Sequence, residues 1–302
     1  MASGAVLAGL SSLPLRAMSA SSTTDKIKLV ILHTNDQHSH IEPFPANDPK
    51  FPGMGGFARR ASIINDIRKA ENNILLFDAG DIFQGTPYFN FFGGEPEFKL
   101  MSEMGYDAAT LGNHDFDNGL DGLAKVLPNA KFPFVSSNYD FSETPVSGKI
   151  QKYVILHREG IRIGVFGLGV KLEGLVPKNA YGKTRYSDPI VKAAEMSLFL
   201  KKEKKCDVII CLSHMGVDSD NGGPCDITLA KQSKNIDIII GGHSHRTLEP
   251  AYCWKNSDGE DIVIAQVGWG GVKLGRIDLL FDKKSKKKET ISSVVKIIKN
   301  QL

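Results

Sequence analysis

Residues 27–38 read IKLVILHTNDQH, an apolar run that passes directly into polar residues. The run from Ile27 to His33 is short, continuous and rich in aliphatic residues, which is typical of a buried β-strand. The polar residues that follow place the carboxylate of Asp36 at the carboxyl end of this strand, with the imidazole of His38 two positions later. Ligand sites of open α/β sheets gather at the carboxyl ends of strands. The stretch therefore predicts both a buried strand and the beginning of a functional site.

Later apolar runs end in the same way, in loops that carry Asp, Asn or His. The runs are residues 74–77, 108–111, 207–212 and 236–240. The loops after them contain Asp81, Asn113 and His114, His214, and His243 and His245. Polar residues placed at strand ends from separate segments indicate one composite site.

Amphipathic segments at about 55–69 and 189–202 predict helices between these strands. Apolar runs at 153–156 and 161–166 indicate a hairpin, and those at 262–267 and 272–280 indicate antiparallel-type strands. We therefore predict an α/β (α+β) fold in which a β-sandwich is flanked by helices, with the polar loops on one edge.

The amino-acid composition limits both the class of protein and the kind of partner that the chain can have. Hydrophobic residues make up 41% and charged residues 24% of the 302, which excludes a disordered, collagen-like or coiled-coil chain. The net charge of +3 is carried by two lysine runs, at 201–205 and 283–288, and without them the remaining chain is mildly acidic. Because no aromatic residue is interleaved with these lysines, solvated surface is favoured over nucleic-acid binding.

The ends of the chain are interpreted separately from its middle. Residues 1–24 contain a short apolar segment at 4–15 and small residues near Ala17, which resembles the second half of a secretory signal peptide, the alternative being a disordered tail. Export to the periplasm or the extracellular space is expected, without a membrane span. Residues 25–282 are predicted to form the catalytic domain and 283–302 a lysine-rich tail. Whether Cys225 and Cys253 pair stays open.

Each polar motif has an ordinary interpretation when it is considered alone. Asp36 and His38 are common loop residues, Asp81 among glycines suits a turn, and a lone His214 is more often a structural histidine. The pair His243 and His245 is stronger, because two imidazoles after a glycine pair suit metal coordination. Together the motifs favour a metal site, since five of the eight histidines follow predicted strands.

The ordered series of motifs resembles the calcineurin-like metallophosphoesterases, and the residues that flank these motifs resemble those of the 5′-nucleotidase subgroup. The resemblance covers roughly residues 27–281 and includes Asp36-x-His38, Gly80-Asp81, Gly112-Asn113-His114, His214 and Gly242-His243-x-His245. It implies a four-layer αββα sandwich with a dinuclear metal site at the strand ends. Oxygen and imidazole ligands without thiolate suit Zn, Mn, Fe or Co.

The resemblance also implies a role for each residue. One metal ion would bind Asp36, His38 and His245, the other Asn113, His214 and His243, and Asp81 would bridge both. A metal-bound water or hydroxide would attack the phosphorus atom of a phosphate monoester. His114 would stabilise the transition state. The spacing adds that Asp117, three residues later, would lie one turn away if that loop is helical and could then accept the N–H of His114. Asp115 is expected to face solvent.

The leading function is that of a 5′-nucleotidase-like phosphohydrolase acting on a small phosphate ester, with a nucleotide as the expected substrate. Alternatives are a cyclic-nucleotide phosphodiesterase or another ester hydrolase of the superfamily, and a non-catalytic metal-binding subunit. Relatives of this kind usually carry a C-terminal domain that stacks on the nucleobase. We expect that domain to be a separate polypeptide here, because the sequence continues for only about 20 residues after its last predicted strand. Trp254 and Trp269 lie within the catalytic region and are not expected to replace that domain.

Overall fold

The computed structural model describes residues 25–219 and 222–299. The segment interpreted as a signal peptide or tail, residues 1–24, lies outside these ranges. Within them, no helix has both the length and the apolar character needed to cross a bilayer.

The first sheet contains the strand formed by the apolar run of residues 27–33. In spatial order its five strands are β13 (Lys288–Ile297), β12 (Lys273–Asp282), β1 (Lys26–Thr34), β2 (Ile74–Asp78) and β3 (Ala108–Ala109). β1, β2 and β3 are parallel, whereas β12 is antiparallel to both of its neighbours. All five residues of β2 are buried, as expected of a parallel strand covered on both faces.

The second sheet has six strands in the order β10 (Tyr252–Lys255), β11 (Asp261–Ala265), β9 (Ile238–Gly241), β8 (Val208–His214), β6 (Ile161–Gly169) and β5 (Tyr153–Arg158). The predicted hairpin is confirmed, since β5 and β6 pair antiparallel. The prediction for 262–267 is only partly right, because β11 is antiparallel to β10 but parallel to β9. A separate two-stranded ribbon joins β4 (Tyr139–Asp140) and β7 (Arg185–Tyr186).

Helices cover the outer faces of the two sheets. They are α1 (Phe57–Ala70), α2 (Pro87–Phe92), α3 (Glu95–Glu103), α4 (Gly119–Val126), α5 (Lys178–Tyr181), α6 (Pro189–Lys202) and α7 (Asp226–Gln232). One hydrophobic cluster joins α1, α3 and α4 to the first sheet, a second joins the two sheets, and a third joins α6 and α7 to the second sheet. These three interfaces make the predicted four-layer αββα sandwich.

The predicted lysine-rich tail is wrong for residues 288–297, because they form β13 and pair along β12. Side chains alternate along this edge strand, with Ile291, Ser293 and Val295 partly buried and the residues between them more exposed. The sequence of this segment shows the alternation only weakly, because Ser292-Ser293 and Val294-Val295 are pairs of like residues.

Candidate metal centre

The loops that follow β1 and β2 are held together by backbone hydrogen bonds. The N–H of Asp36 donates to Gly80 at 2.9 Å, and the N–H of His38 donates to Asp81 at 3.0 Å. Asp36, His38 and Asp81 all have positive φ angles, of 47°, 48° and 54°. Such backbone is unfavourable for residues other than glycine and concentrates at functional sites.

Two groups of side chains at this edge have the geometry to hold a metal ion. The candidate ligand atoms of Asp36, His38, Asp81 and His245 all lie within 4.8 Å of one another, and so do those of Asp81, His214 and His243. Asp81 belongs to both groups. The structure thus brings together six of the seven ligands expected from the sequence, in the two sets that the resemblance implies.

The seventh, Asn113, adjoins the same centre. The N–H of the next residue, His114, donates to Asp81 Oδ1 at 2.8 Å. Asn113 is buried, and its Oδ1 atom has no hydrogen-bond partner among the described residues. An unpartnered buried oxygen is costly unless it binds something else, so this atom fits a cation ligand.

Charged and polar atoms crowd the centre at short distances. His214 Nε2 lies 3.1 Å from Asp81 Oδ2, and His245 Nε2 lies 3.3 Å from Asp36 Oδ1. The Nε2 atoms of His38 and His245 are 3.2 Å apart. A divalent cation accepts lone pairs from several imidazoles and carboxylates at once, so the donor set fits such an ion.

Outer contacts turn the imidazoles toward the centre. His214 Nδ1 lies 2.7 Å from the carbonyl oxygen of Ala79, and His38 Nδ1 lies 3.2 Å from that of Phe83. With Nδ1 donating to a carbonyl, Nε2 keeps its lone pair for a ligand. The N–H of His243 donates to both oxygens of Asp36, at 3.0 and 3.1 Å, which fixes the carboxylate.

The electrostatics of the centre favour positive charge. Burial would raise the pKa of Asp81, but the neighbouring His214 outweighs it and lowers the pKa below its usual range. Burial likewise opposes the charged form of His214, yet Asp81 raises its pKa to about 10. The ionised carboxylate therefore draws a proton, or another cation, to this position.

His114 and Asp117 form a pair at the rim. A single 3₁₀ turn over His114–Phe116 places the two side chains together, with His114 Nδ1 2.8 Å from Asp117 Oδ2. This hydrogen bond raises the pKa of His114, and partial burial opposes the increase. The side chain of His114 is 37% exposed, so it can contact a small molecule.

The expectation that Asp115 faces solvent is wrong, because its side chain is 1% exposed. Its carboxylate accepts four backbone N–H bonds, from Asp81, Ile82, Phe83 and Gly112, at 2.8 to 3.1 Å. Burial and the nearby Asp81 raise its pKa to about 7. The 3₁₀ turn directs neighbouring side chains in different directions, since it has about three residues per turn.

Two further supports were not found from the sequence. Gln266 Nε2 donates to Gly242 O at 2.6 Å, and its Oε1 accepts the N–H of Arg246, which braces the turn that carries His243 and His245. A polar Gln266 inside an apolar run was the available signal.

The second support is a buried network beneath the loop after β1. Gln37 Nε2 donates to Asp78 Oδ2 at 2.7 Å, while the guanidinium of Arg60, which is 0% exposed, donates to Gln37. Burial raises the pKa of Asp78 to about 7, although hydrogen bonds oppose the increase. Gln37 stands between Asp36 and His38, so the network fixes that loop from below.

Comparisons with known proteins identify a family model and related sequences. A family model described as calcineurin-like phosphoesterase matches residues 29–247. A 5′-nucleotidase of Vibrio parahaemolyticus is 38% identical over 253 residues, which are 80% of this chain and 43% of that protein. A snake venom 5′-nucleotidase of Gloydius brevicauda is 33% identical over 279 residues, 85% of this chain and 46% of that protein.

A solved structure of a related protein has a similar fold. The 5′-nucleotidase precursor of Thermus thermophilus superposes with a TM-score of 0.79 at 30% identity, covering 90% of this chain and 55% of that one. The chain spans about half the length of these relatives.

Proposed function

The chain belongs to the calcineurin-like phosphoesterase family, and from this premise we propose that it hydrolyses phosphate monoesters as a 5′-nucleotidase does, with two divalent metal ions. The observation that carries the proposal is the pair of ligand groups that share Asp81. Two such groups with one common carboxylate suit two ions at the short separation used in phosphate ester hydrolysis.

In this proposal Asp36, His38 and His245 would hold one ion, and His214, His243 and Asn113 would hold the other. Asp81 would contribute its carboxylate to both groups. Zn, Mn, Fe or Co fits these nitrogen and oxygen ligands. When bound, two such ions supply Lewis acidity toward the phosphoryl group and a nucleophilic water.

The protein's own contribution to the reaction centres on His114. Because Nδ1 faces Asp117, Nε2 is the ring nitrogen left for the substrate. We assign it to stabilising charge on the phosphoryl group in the transition state and giving a proton to the leaving oxygen. Asp117 holds the ring in that orientation. Asp81 Oδ1 accepts the backbone N–H of His114 and thereby fixes the backbone of His114.

The test is hydrolysis of the monoesters AMP, phenyl phosphate and glycerol phosphate, and of the diester cyclic AMP, by the purified chain with added Mn²⁺. We expect phosphate release from the monoesters, which a chelator and the Asp81→Asn substitution each abolish. The matched control is Asp66→Asn on α1, whose side chain is 63% exposed and should leave the rate unchanged. A chain that binds metal but releases no phosphate would be a metal-binding subunit, and faster hydrolysis of a phosphodiester would favour a phosphodiesterase.

Substrate, partner and location are proposals of the same kind. We propose a nucleotide as the substrate and a separate nucleoside-binding polypeptide over the metal edge. Export is supported by the sequence of residues 4–24, and one relative is by name a venom protein. N-terminal sequencing of the protein recovered from fractionated cells tests the export proposal, because a cleaved segment would be missing.

A further inference from the structure

One of the two tryptophans lies beside the candidate metal centre. The ring centroid of Trp269 is 6.0 Å from that of His38 and 6.2 Å from that of His245. The other tryptophan, Trp254, lies on β10, packs in the cluster with α7 and has Lys231 Nζ 4.6 Å from its ring centroid. The two indoles therefore have different surroundings, and only Trp269 adjoins the ligand imidazoles.

The loop that carries Trp269 is fixed by hydrogen bonds to the loop after β1, which contains the candidate ligands Asp36 and His38. Asn35 Oδ1 accepts the N–H of Val267 at 2.9 Å, and Asn35 Nδ2 donates to Gly268 O at 2.8 Å. On the C-terminal side of Trp269, the N–H of Gly270 donates to Asp36 O at 2.8 Å. The position of the indole is thereby tied to that of a candidate ligand, Asp36.

Other aromatic side chains support the indole. The ring centroids of His40, Phe44 and Phe51 lie 4.8, 5.5 and 6.1 Å from that of Trp269. His40 itself stacks on Phe44 at 4.2 Å. Trp269 is nonetheless only partly buried, so part of its surface stays exposed. A supported and partly exposed indole is a rigid surface for a planar ligand.

We propose that Trp269 is the surface that contacts the leaving group, and that it favours phosphate esters whose leaving group carries a planar aromatic ring. This inference rests on the proposed phosphohydrolase function. The phosphoryl group is common to all substrates, so selectivity must come from contacts to the rest of the ester. The leaving oxygen is assigned to His114, whose ring centroid lies 5.3 Å from that of His38, and the ring of His38 also adjoins that of Trp269.

The kinetic test compares three variants, Trp269→Leu, Trp269→Phe and the control Trp254→Leu. We expect Trp269→Leu to lower kcat/KM about tenfold for phenyl phosphate and AMP, the size of one aromatic stacking contact, and to leave glycerol phosphate within about twofold. Trp269→Phe should restore most of the loss, and Trp254→Leu should affect all three esters equally or not at all. An equal loss for the three esters in Trp269→Leu, or no loss, would overturn the inference.

A binding test separates this inference from the proposed function. Since the chain has two tryptophans, Trp254→Leu leaves Trp269 as the sole indole fluorophore. We expect phenylphosphonate to change the emission of the Zn²⁺-loaded variant, and methylphosphonate to change it much less. Equal responses, or none to either compound, would overturn the role of Trp269. If no ester is hydrolysed, the proposed function fails, and this titration still decides whether the indole contacts an aromatic ring.

Discussion

The carboxylate of Asp115 accepts the backbone N–H of Asp81 at 3.0 Å, so the loop after β3 holds the loop after β2 in place. Asp81 is the residue common to both ligand groups. A buried carboxylate that is not itself a candidate ligand therefore supports the centre of the site.

Replacing Asp115 should damage both stability and metal binding. Asp115→Ala leaves four buried N–H groups without their acceptor, and one buried unsatisfied group costs about 1–3 kcal/mol. We expect the free energy of unfolding to fall by at least about 2 kcal/mol and metal affinity to fall with it. Urea unfolding and metal content measure the two effects, with exposed Asp66→Ala as the control. A variant of native stability that kept its metal would contradict the supporting role.

The bridging position makes Asp81 more critical than Asp36. Asp81→Ala removes a ligand from both groups and should leave neither ion tightly bound, whereas Asp36→Ala removes a ligand from one. Metal analysis after gel filtration should give fewer ions per chain for Asp81→Ala. Near-normal turnover with two bound ions in that variant would show that Asp81 does not bridge.

His114→Asn should lower kcat by about 10²–10⁴-fold and leave metal content unchanged, because the residue is assigned to the transition state. Asp117→Asn should have a smaller effect, since it acts by orienting the ring through a 2.8 Å contact. Parallel kinetic and metal assays check both variants. Loss of an ion from His114→Asn would instead make His114 a ligand or a structural support.

The convergence of Asp36, His38 and Asp81 was predictable because parallel strands bring their carboxyl ends to one edge of a sheet. The supports were not predictable in the same way. Asp115 and Gln266 act through backbone groups of loops distant in sequence, and nothing in their local sequence specifies those partners. β13 was missed because its alternation is weak, and the direction of β11 depends on pairing with β9, which local pattern does not fix.

Acid should destabilise the fold through His33, which lies on β1 opposite Gly275 of β12. Burial lowers the pKa of His33 to about 4, against 6.5 ordinarily, so the folded state holds the ring neutral. Below the ordinary pKa the unfolded chain binds the proton, so the free energy of unfolding falls by about 2–3 kcal/mol as the pH drops from about 6.5 toward 4.

Urea unfolding at pH 7.5 and 4.5 tests this prediction. The free energy of unfolding should differ less between the two pH values for His33→Leu than for the native chain. The exposed His157→Leu is the control, and an equal difference in both variants would refute the assignment to His33.

Selectivity among aromatic esters should be weak in the chain by itself. Both AMP and phenyl phosphate present a planar ring to Trp269, and stacking tolerates different rings because each has a π-face. The proposed nucleoside-binding partner would add a second stacking contact, worth roughly 5- to 150-fold. We therefore expect kcat/KM for phenyl phosphate to lie within about tenfold of that for AMP on the isolated chain. Two stacking contacts to the nucleoside would give a larger ratio between the two kcat/KM values.

A hundredfold preference for AMP without a partner would show that this chain already binds the nucleoside specifically. Addition of the partner should then raise kcat/KM for AMP and leave phenyl phosphate nearly unchanged, because only the nucleotide reaches beyond the metal edge.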